Sequence, residues 1–260
     1  MNSSDFRPPL YEMNPLGRFS DRAADYVKYR PTYPVAAIDA ILAGLEEPSQ
    51  LTAADIGAGT GISSRLLAER SVRVLAIEPN ADMRQAAAPH PLVEFREGTS
   101  EATNLPESSV DLVTCFQSFH WFNPVLTLPE FRRILRPSGK LAVVWNLRDR
   151  TDELTLAYTQ IVKTASNHHP AEKRDRSIEP LIASSDFSNI QICDFVHKQD
   201  VDLPGLIGRA QSASYIPKSG PKLQQIISDL TELYETHCGN QSFVSLVYKT
   251  RVYLAEISNA

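Results

Sequence analysis

The chain has 260 residues, 42% of them hydrophobic, which fits one large domain or one domain with a sizeable insertion. Its net charge of -5 gives no basic surface of the kind that binds nucleic acid or an anionic membrane. The three cysteines, Cys115, Cys193 and Cys238, are too far apart for a disulfide framework or a zinc site, which favours a reducing compartment.

The N-terminal fifth of the chain predicts a tail followed by a helical segment. Residues 1–17 are polar and contain prolines, so we expect a loose tail without the apolar core of a signal peptide. Residues 18–50 should be largely helical, because apolar side chains recur with helical spacing between Val35 and Leu45. Since no stretch has the length and apolar content of a membrane span, we expect a cytoplasmic protein.

Residues 51–150 alternate between strand-like and helix-like runs. Short apolar runs predict strands at 51–56, 72–78, 92–96, 110–115 and 140–146. Helical spacing predicts helices at about 62–70, 80–88 and 124–135. Asn80 suits a helix N-cap, Pro124 suits a first helical turn, and residues 136–139 should form a turn. This alternation predicts a core built on a parallel sheet with helices on both faces.

The pattern changes after residue 150. Residues 152–166 and 221–237 have the spacing of amphipathic helices. Residues 190–201 and 243–257 alternate between apolar and polar side chains, which predicts two further strands. Residues 151–260 are therefore expected to supply the remaining strands of the sheet together with additional helices.

The segment from residue 51 to 61 predicts a nucleotide-like binding loop. An apolar strand leads into a glycine turn, and Asp55 lies two positions before the first glycine, Gly57. Glycines let the backbone turn sharply and let a ligand approach main-chain atoms closely. The next predicted strand ends on Glu78, where a carboxylate can accept hydrogen bonds from the two hydroxyls of a bound ribose. The combination is typical of a nucleoside-binding β-α-β unit.

Two kinds of nucleoside cofactor compete at this loop. A nicotinamide or flavin dinucleotide needs Gly or Ala where this chain has Ile62, and no phosphate-binding lysine precedes Ser63. The carboxylate of Asp55 would repel a pyrophosphate, but it suits a ligand with a positive amino group. These residues favour S-adenosylmethionine as the cofactor. An NAD(P)-dependent oxidoreductase and a non-catalytic cofactor-binding protein remain the alternatives.

The run Asp55-Ile-Gly57-Ala-Gly59-Thr-Gly61 resembles the first motif of the Rossmann-like S-adenosylmethionine-dependent methyltransferases. Further segments resemble, in the right order, the small-molecule branch that includes trans-aconitate methyltransferase-like enzymes, and they lie at residues 19–34, 76–83, 97–102, 117–122 and 130–139. The resemblance implies a doubly wound α/β fold whose seven-stranded sheet is mostly parallel with an antiparallel last strand. It also implies that helices at roughly 203–237 form a cap over the substrate end of the cleft.

The resemblance also implies a set of cofactor-binding residues. Tyr26 and Arg30 would lie on a lid segment, where an arginine can pair with the cofactor carboxylate. Met83 would flank the adenine, and the loop at 99–101 would read its edge. The complete expected set is Tyr26, Arg30, Asp55, Gly57, Ala58, Gly59, Glu78, Pro79, Met83, Thr99, Ser100, Glu101 and Gln117.

The implied reaction is methyl transfer to a small molecule, with oxygen of a carboxylate or hydroxyl as the expected acceptor and carbon and nitrogen open. His120 follows the fourth predicted strand, where it could orient or deprotonate the acceptor. Trp121, Asn146 and Tyr215 are the candidate acceptor contacts. We expect no metal, since the histidine pair at 168–169 has no third metal ligand. We also expect no nucleic-acid or membrane partner, and a monomer or homodimer.

Overall fold

The computed structural model describes residues 9–13, 27–166, 178–213 and 215–258. The strands are β1 Thr52–Ile56, β2 Arg73–Ile77, β3 Val93–Arg96, β4 Val110–Phe116, β5 Leu135–Arg148, β6 Phe187–Val201 and β7 Val244–Ile257. The α-helices are α1 Val35–Leu42, α2 Ile62–Ala68, α3 Ala81–Gln85, α4 Pro124–Ile134, α5 Glu153–Ala165, α6 Glu179–Ile182, α7 Leu203–Gln211 and α8 Pro221–Cys238. Short 3-10 helices occupy Leu10–Glu12, Pro48–Gln50 and Phe119–Trp121.

All seven strands belong to one sheet with the order β3-β2-β1-β4-β5-β7-β6. Strands β1 to β5 pair in parallel, and β7 is antiparallel to both of its neighbours, β5 and β6. The predicted fold class, a mostly parallel seven-stranded sheet with an antiparallel last strand, is therefore confirmed. The order reverses at β1, so the carboxyl ends of β1 and β4 flank the crevice where ligands bind in such sheets.

The two faces of the sheet bury separate apolar clusters, as strands covered on both sides require. Along β5, Leu141, Val143 and Trp145 face one cluster, with α4 packed over them. Ala142 and Val144 face the other, which also contains apolar residues of α1 and α2. This alternation confirms that helices cover both faces. Because the strands are parallel, the loops after β1, β2, β3 and β4 converge at one edge of the sheet.

One predicted boundary differs from the structure. Residues 136–139 were expected to form a turn, yet β5 begins at Leu135 and runs through them. Leu135 pairs with Val110 and Lys140 pairs with Leu112, so the register of the two strands shifts across this stretch. The extra residues are accommodated as an irregularity inside the ladder, because the β4–β5 pairing resumes immediately after Gly139.

Helices α5, α7 and α8 form a third cluster with β7, and we call this group the helical cap. Its core includes Tyr158, Leu206, Leu230 and Leu246. A Cβ on Gly208 would overlap the ring of Tyr29, so the cap packs closely against the N-terminal segment. Within the described residues we find no helix with the length and apolar content needed to cross a membrane. The charged run at 172–176 and the histidine pair at 168–169 lie outside the described residues.

Candidate active site

A cavity of about 470 Å³ lies at the carboxyl ends of the parallel strands. Its walls come from the loops after β1, β2, β3 and β4 and from the N-terminal 3-10 helix. The lining residues are Tyr11, Glu12, Gly57, Gly59, Glu78, Pro79, Asn80, Met83, Gly98, Thr99, Ser100, Glu101, Phe116, Gln117, Ser118, Trp121 and Phe122. This volume is that of a cleft for a drug-sized or cofactor-sized ligand.

The glycine loop needs backbone angles that other residues adopt with difficulty. Gly57, Gly59 and Gly61 have φ values of 66°, 59° and 74°. The N–H of Gly57 donates to the carbonyl oxygen of Ile77 at 2.8 Å, which ties the loop to the end of β2. A Cβ on Gly57 would lie 2.8 Å from the Cβ of Ser118, so the loop also packs directly on the segment after β4. The glycines therefore set the floor of the cavity.

Asp55 lies beneath this loop and does not line the cavity. Its carboxylate is fully buried and accepts hydrogen bonds from three hydroxyls, those of Ser63, Ser64 and Thr114, at 2.7, 2.6 and 2.8 Å. Burial raises the pKa of Asp55 above its ordinary value of 3.8, and the hydroxyl donors oppose that shift. Asp55 thus lines neither cavity, and its two carboxylate oxygens hold α2 and β4 in place.

Glu78 reaches the cavity from the end of β2, as the sequence predicted. Its Oε2 accepts a hydrogen bond from the N–H of Gly59 at 2.8 Å, and its Oε1 accepts one from the N–H of Asn80 at 2.9 Å. Burial raises the pKa of Glu78 above its ordinary value of 4.5, while the two backbone donors oppose the shift. The carboxylate is thereby oriented with acceptor capacity left over for the hydroxyls of a ribose.

The wall opposite Glu78 comes from α3 and the loop after β3. Asn80 caps α3, since its Oδ1 accepts from the N–H groups of Asp82 and Met83 at 2.9 and 3.1 Å. This cap fixes Met83, which is buried and lines the cavity. The loop at 98–101 is held by Glu101, whose Oε1 accepts from the N–H of Asn123 at 3.3 Å. Met83 and residues 98–101 thus present apolar, backbone and hydroxyl groups to the same cavity.

Gln117, directly after β4, has the left-handed backbone that non-glycine residues rarely adopt, with φ at 56°. Its N–H donates to the carbonyl oxygen of Val144 at 2.9 Å, and its Nε2 donates to that of Asn146 at 3.2 Å. Both contacts hold Gln117 against the end of β5. Strained residues of this kind concentrate at ligand sites, where the surrounding structure maintains them.

Comparisons with known proteins agree with this geometry. Residues 54–143 match the family described as "Methyltransferase domain". Over 252 residues the chain is 28% identical to a methyltransferase-like protein of Schizosaccharomyces pombe, covering 95% of this chain and 98% of that one. A putative type II methyltransferase from Anaeromyxobacter dehalogenans has the same fold, with a TM-score of 0.70, 22% identity and coverage of 89% of this chain and 100% of that one.

The matched segment, residues 54–143, is a methyltransferase domain within a Rossmann-like fold. A trans-aconitate 2-methyltransferase of Azoarcus is 35% identical over 122 residues, which is 45% of this chain and 47% of that protein. The predicted resemblance to the branch that includes such enzymes is therefore confirmed for the methyltransferase core. That match spans about half of the Azoarcus protein, so it does not establish the methyl acceptor of this chain.

A second, smaller cavity of about 20 Å³ adjoins the methyltransferase cleft. It shares Gly57, Phe116 and Gln117 with the large cavity. Its further lining residues are Arg30, Pro31, Tyr33, Ala58, Ile62, Ser63, Asn146 and Arg209. Two expected cofactor contacts, Arg30 and Ala58, and one expected acceptor contact, Asn146, therefore lie here and not in the large cavity.

His120 does not reach either cavity. The side chain is buried, and its Nδ1 accepts a hydrogen bond from the indole N–H of Trp145 at 3.3 Å. The ring of Trp121 is 5.1 Å from the imidazole ring, centroid to centroid, and Trp121 itself lines the cavity. The expectation that His120 acts as a general base is therefore not supported, because one ring nitrogen already serves as an acceptor in the core.

One further expected contact lines neither cavity, and another falls outside the described residues. Tyr215 is in the helical cap and lines neither cavity, and Tyr26 lies outside the described residues. The remaining expected residues of the large cavity, namely Gly57, Gly59, Glu78, Pro79, Met83, Thr99, Ser100, Glu101, Gln117 and Trp121, are brought together as predicted.

The contribution of the N-terminal segment to the cleft was not predicted from the sequence. Tyr11 and Glu12 lie in the segment expected to be a loose tail, yet their 3-10 helix packs against Phe119–Trp121 and lines the cavity. Arg209 of the small cavity was missed as well, since a single arginine in an amphipathic helix resembles a solvent-exposed charge. Only the unusual placement of an aromatic residue in a polar N-terminal segment could have pointed to Tyr11.

Proposed function

We propose that this chain binds S-adenosylmethionine in the large cavity and transfers its methyl group to an oxygen atom of a small molecule. The observation that carries the proposal is the buried carboxylate of Glu78, oriented by two backbone N–H groups beside the positive-φ glycine loop. A carboxylate so placed suits the ribose hydroxyls of a nucleoside. The slot between Met83 and residues 98–101 suits the adenine, which leaves the methionine end pointing toward Gln117.

The chemistry asks little of the protein beyond alignment and exclusion of water. A lone pair on the acceptor oxygen attacks the methyl carbon in line with the carbon–sulfur bond, whose electrons return to sulfur as S-adenosylhomocysteine forms. Charge on the sulfonium is neutralised during the step when the acceptor is an anion, so a dry cleft favours it. A carboxylate acceptor is already ionised and needs no base, which fits a cleft that His120 does not reach.

Calorimetric titration with S-adenosylmethionine, S-adenosylhomocysteine and NADH tests the cofactor. We expect binding of the first two and none of NADH, and the reverse result would favour the oxidoreductase alternative. Transfer of a labelled methyl group to a panel of small carboxylic acids and alcohols tests turnover. Equal rates are expected with and without EDTA, since no metal takes part. Cofactor binding without transfer to any acceptor would favour a non-catalytic protein.

We further propose that the enzyme works in the cytoplasm as a monomer or homodimer, without nucleic acid or a membrane. Sedimentation in the presence of cofactor tests the oligomeric state. A mass above that of a dimer would contradict it. Cell fractionation tests the compartment, and recovery of the protein with membranes or nucleic acid would contradict the assignment.

Substitution of His120 is expected to affect stability more than the chemical step. His120→Ala removes the acceptor of the buried Trp145 indole N–H, which costs about 1–3 kcal/mol of folding free energy. The rate of methyl transfer should keep its dependence on pH, because the imidazole does not line the cavity. Denaturant unfolding and a pH–rate profile measure the two effects. Loss of a limb of that profile would restore the base assignment, whereas unchanged stability would contradict the packing role.

The N-terminal segment is proposed to act as a lid on the cofactor. The carbonyl oxygens of Tyr29 and Thr32 accept from Gln199 Nε2 at 3.0 Å and from Asn146 Nδ2 at 2.9 Å, so the segment is anchored on the sheet. We expect amide hydrogen exchange at residues 10–13 and 27–34 to slow when cofactor is added, because lids close on binding. The solvent-facing helix α8 is the internal control. Equal exchange with and without cofactor would reduce both segments to packing elements.

A further inference from the structure

The helical cap contains a buried arginine that lacks a carboxylate partner. Arg209, on α7, is only 5% exposed. Its Nε donates to the hydroxyl of Tyr248 at 3.2 Å, and its Nη1 is 3.4 Å from the hydroxyl of Ser212. Among the residues that the structure describes, no Asp or Glu forms an ion pair with it. A buried cation without an anion is costly, so an arginine kept in this state indicates that a ligand supplies the negative charge.

A second unsatisfied group lies in the same cluster. Tyr158 is fully buried, and its hydroxyl has no hydrogen-bond partner among the described residues. The charge of Arg209 acts on this phenol and lowers its pKa, although burial dominates and raises the pKa to about 12. The phenol therefore remains protonated and available as a donor. The guanidinium of Arg148 lies 5.1 Å from the centre of the Tyr158 ring and adds positive charge.

Arg209 joins this cluster to the small cavity, whereas Tyr158 lines neither cavity. Arg209 lines the small cavity together with Arg30, and this cavity shares Gly57 and Gln117 with the large one. The small cavity, with a volume of about 20 Å³, has room for one small polar group and not for a whole ligand. A single water molecule already needs roughly 10–15 Å³ of such a cavity. The methionine end of the cofactor in the proposed function would lie on the other side of the shared wall.

We propose that Arg209 and the neighbouring hydroxyl of Tyr158 form an anion subsite that takes a carboxylate of the methyl acceptor. This inference rests on the proposed function and narrows it to an acceptor that is a carboxylic acid. Guanidinium and phenol donors pair well with a carboxylate, and such charge-assisted hydrogen bonds are the stronger ones. The carboxylate held there would position the rest of the acceptor over Gln117, next to the methyl group.

Calorimetry with the full chain saturated with S-adenosylhomocysteine tests the subsite, using acetate, benzoate and trans-aconitate as probes. We expect at least one of these carboxylates to bind, and the matching amides, acetamide and benzamide, not to bind. Failure of all three carboxylates would overturn the subsite. Binding of S-adenosylhomocysteine, measured first in the same sample, tests the proposed function separately.

Variants then identify the donor groups. Arg209→Gln should lower the affinity for the carboxylate probe about tenfold or more. It should leave the affinity for S-adenosylhomocysteine within about twofold of that of the unmodified protein. Tyr158→Phe should weaken the probe less, with folding stability unchanged or higher, because the lost hydroxyl has no partner in the described structure. Arg132→Gln is the matched control, since Arg132 is a half-buried arginine that, among the described residues, donates to the carbonyls of Asp186 and Ser258.

Three outcomes would contradict the proposal. If Arg209→Gln weakens S-adenosylhomocysteine and spares the carboxylate probe, the anion is the cofactor's own carboxylate. If Tyr158→Phe binds the probe like the unmodified protein while Arg209→Gln unfolds, Arg209 is a structural residue only. If Arg132→Gln loses as much probe affinity as Arg209→Gln, the effect is general destabilisation.

Discussion

Gly57→Val is expected to abolish cofactor binding while most of the helical and strand content survives. Gly57 has a φ of 66°, which a β-branched residue adopts only with strain. Its Cβ would lie 2.8 Å from the Cβ of Ser118 and 3.1 Å from Cζ of Phe122, so the loop must move away from the segment after β4. That movement displaces the floor of the cavity. Titration with S-adenosylmethionine and far-UV circular dichroism measure the two outcomes.

A matched variant separates backbone strain from the loss of the site. Gly220 also has a positive φ, 87°, but a Cβ there would meet no atom within 4 Å. Gly220→Val should therefore pay a comparable strain, of about 1–3 kcal/mol, and keep its affinity for cofactor. Wild-type affinity in Gly57→Val would mean that the glycine loop does not contact the ligand. Loss of binding in Gly220→Val would mean that global destabilisation is responsible.

Much of the core could be predicted from local sequence because its signals are local. The strand at 52–56, the glycines behind it and the acid at the end of β2 follow one another within 30 residues, and parallel pairing brings their ends together. The N-cap of α3 is also a local signal, and Asn80 accepts the hydrogen bonds that its position predicts. Residues chosen by such rules line the cavity, as Glu78 and Met83 do.

The direction in which a side chain points could not be predicted in the same way. Asp55 occupies a strand position whose neighbour across the sheet is Thr114, and the pleat turns its carboxylate inward, away from the ligand side of the loop. The 3-10 helix at Phe119–Trp121 likewise turns His120 into the core and Trp121 toward the cleft. A motif places a residue in a segment, but a shift of one position along that segment decides which side the side chain faces and what it contacts.

Contacts that are distant in sequence were also beyond prediction. Tyr11 reaches a cleft built by residues after 57, and Arg209 reaches it from a helix inserted between β6 and β7. Neither residue belongs to a periodic pattern that reports its partner. Both belong to the lid and the cap, which fall outside the 54–143 segment matched by the methyltransferase family. The parts of the chain outside the matched segment are therefore the ones that the sequence motifs describe least.

Replacement of Glu78 is expected to weaken cofactor binding strongly without unfolding the protein. Glu78→Ala removes the proposed acceptor of the ribose hydroxyls, and charge-assisted hydrogen bonds of this kind contribute about 1.5–3 kcal/mol, or roughly 12- to 160-fold in affinity. The change also leaves the N–H groups of Gly59 and Asn80 without their acceptor, so some loss of loop order is included. Calorimetry with S-adenosylhomocysteine measures the effect.

Glu97→Ala is the control for Glu78→Ala, because Glu97 lies on the same edge of the sheet and pairs with Arg84 at 3.2 Å, yet it does not line the cavity. Its affinity for S-adenosylhomocysteine should stay close to that of the unmodified protein. Equal affinity in both variants and in the unmodified protein would exclude a ribose contact for Glu78. Equal losses of affinity in the two variants would attribute the effect to the negative charge at this edge of the sheet and not to a hydrogen bond accepted by Glu78.

The pH dependence of binding gives Glu78 a second signature, opposite in sign to its effect on folding. Burial raises its pKa above 4.5, so on acidification the carboxylate is protonated earlier than an exposed glutamate and the cofactor is released. For folding, the native state binds the extra proton between 4.5 and the raised pKa, so this group makes the protein more stable as the pH falls through that window. Glu78→Gln has no titrating carboxyl at this position. The contributions of Glu78 to the pH dependence of cofactor affinity and of folding stability should therefore both disappear. Cofactor affinity that falls with pH equally in Glu78→Gln would assign the titration to another group.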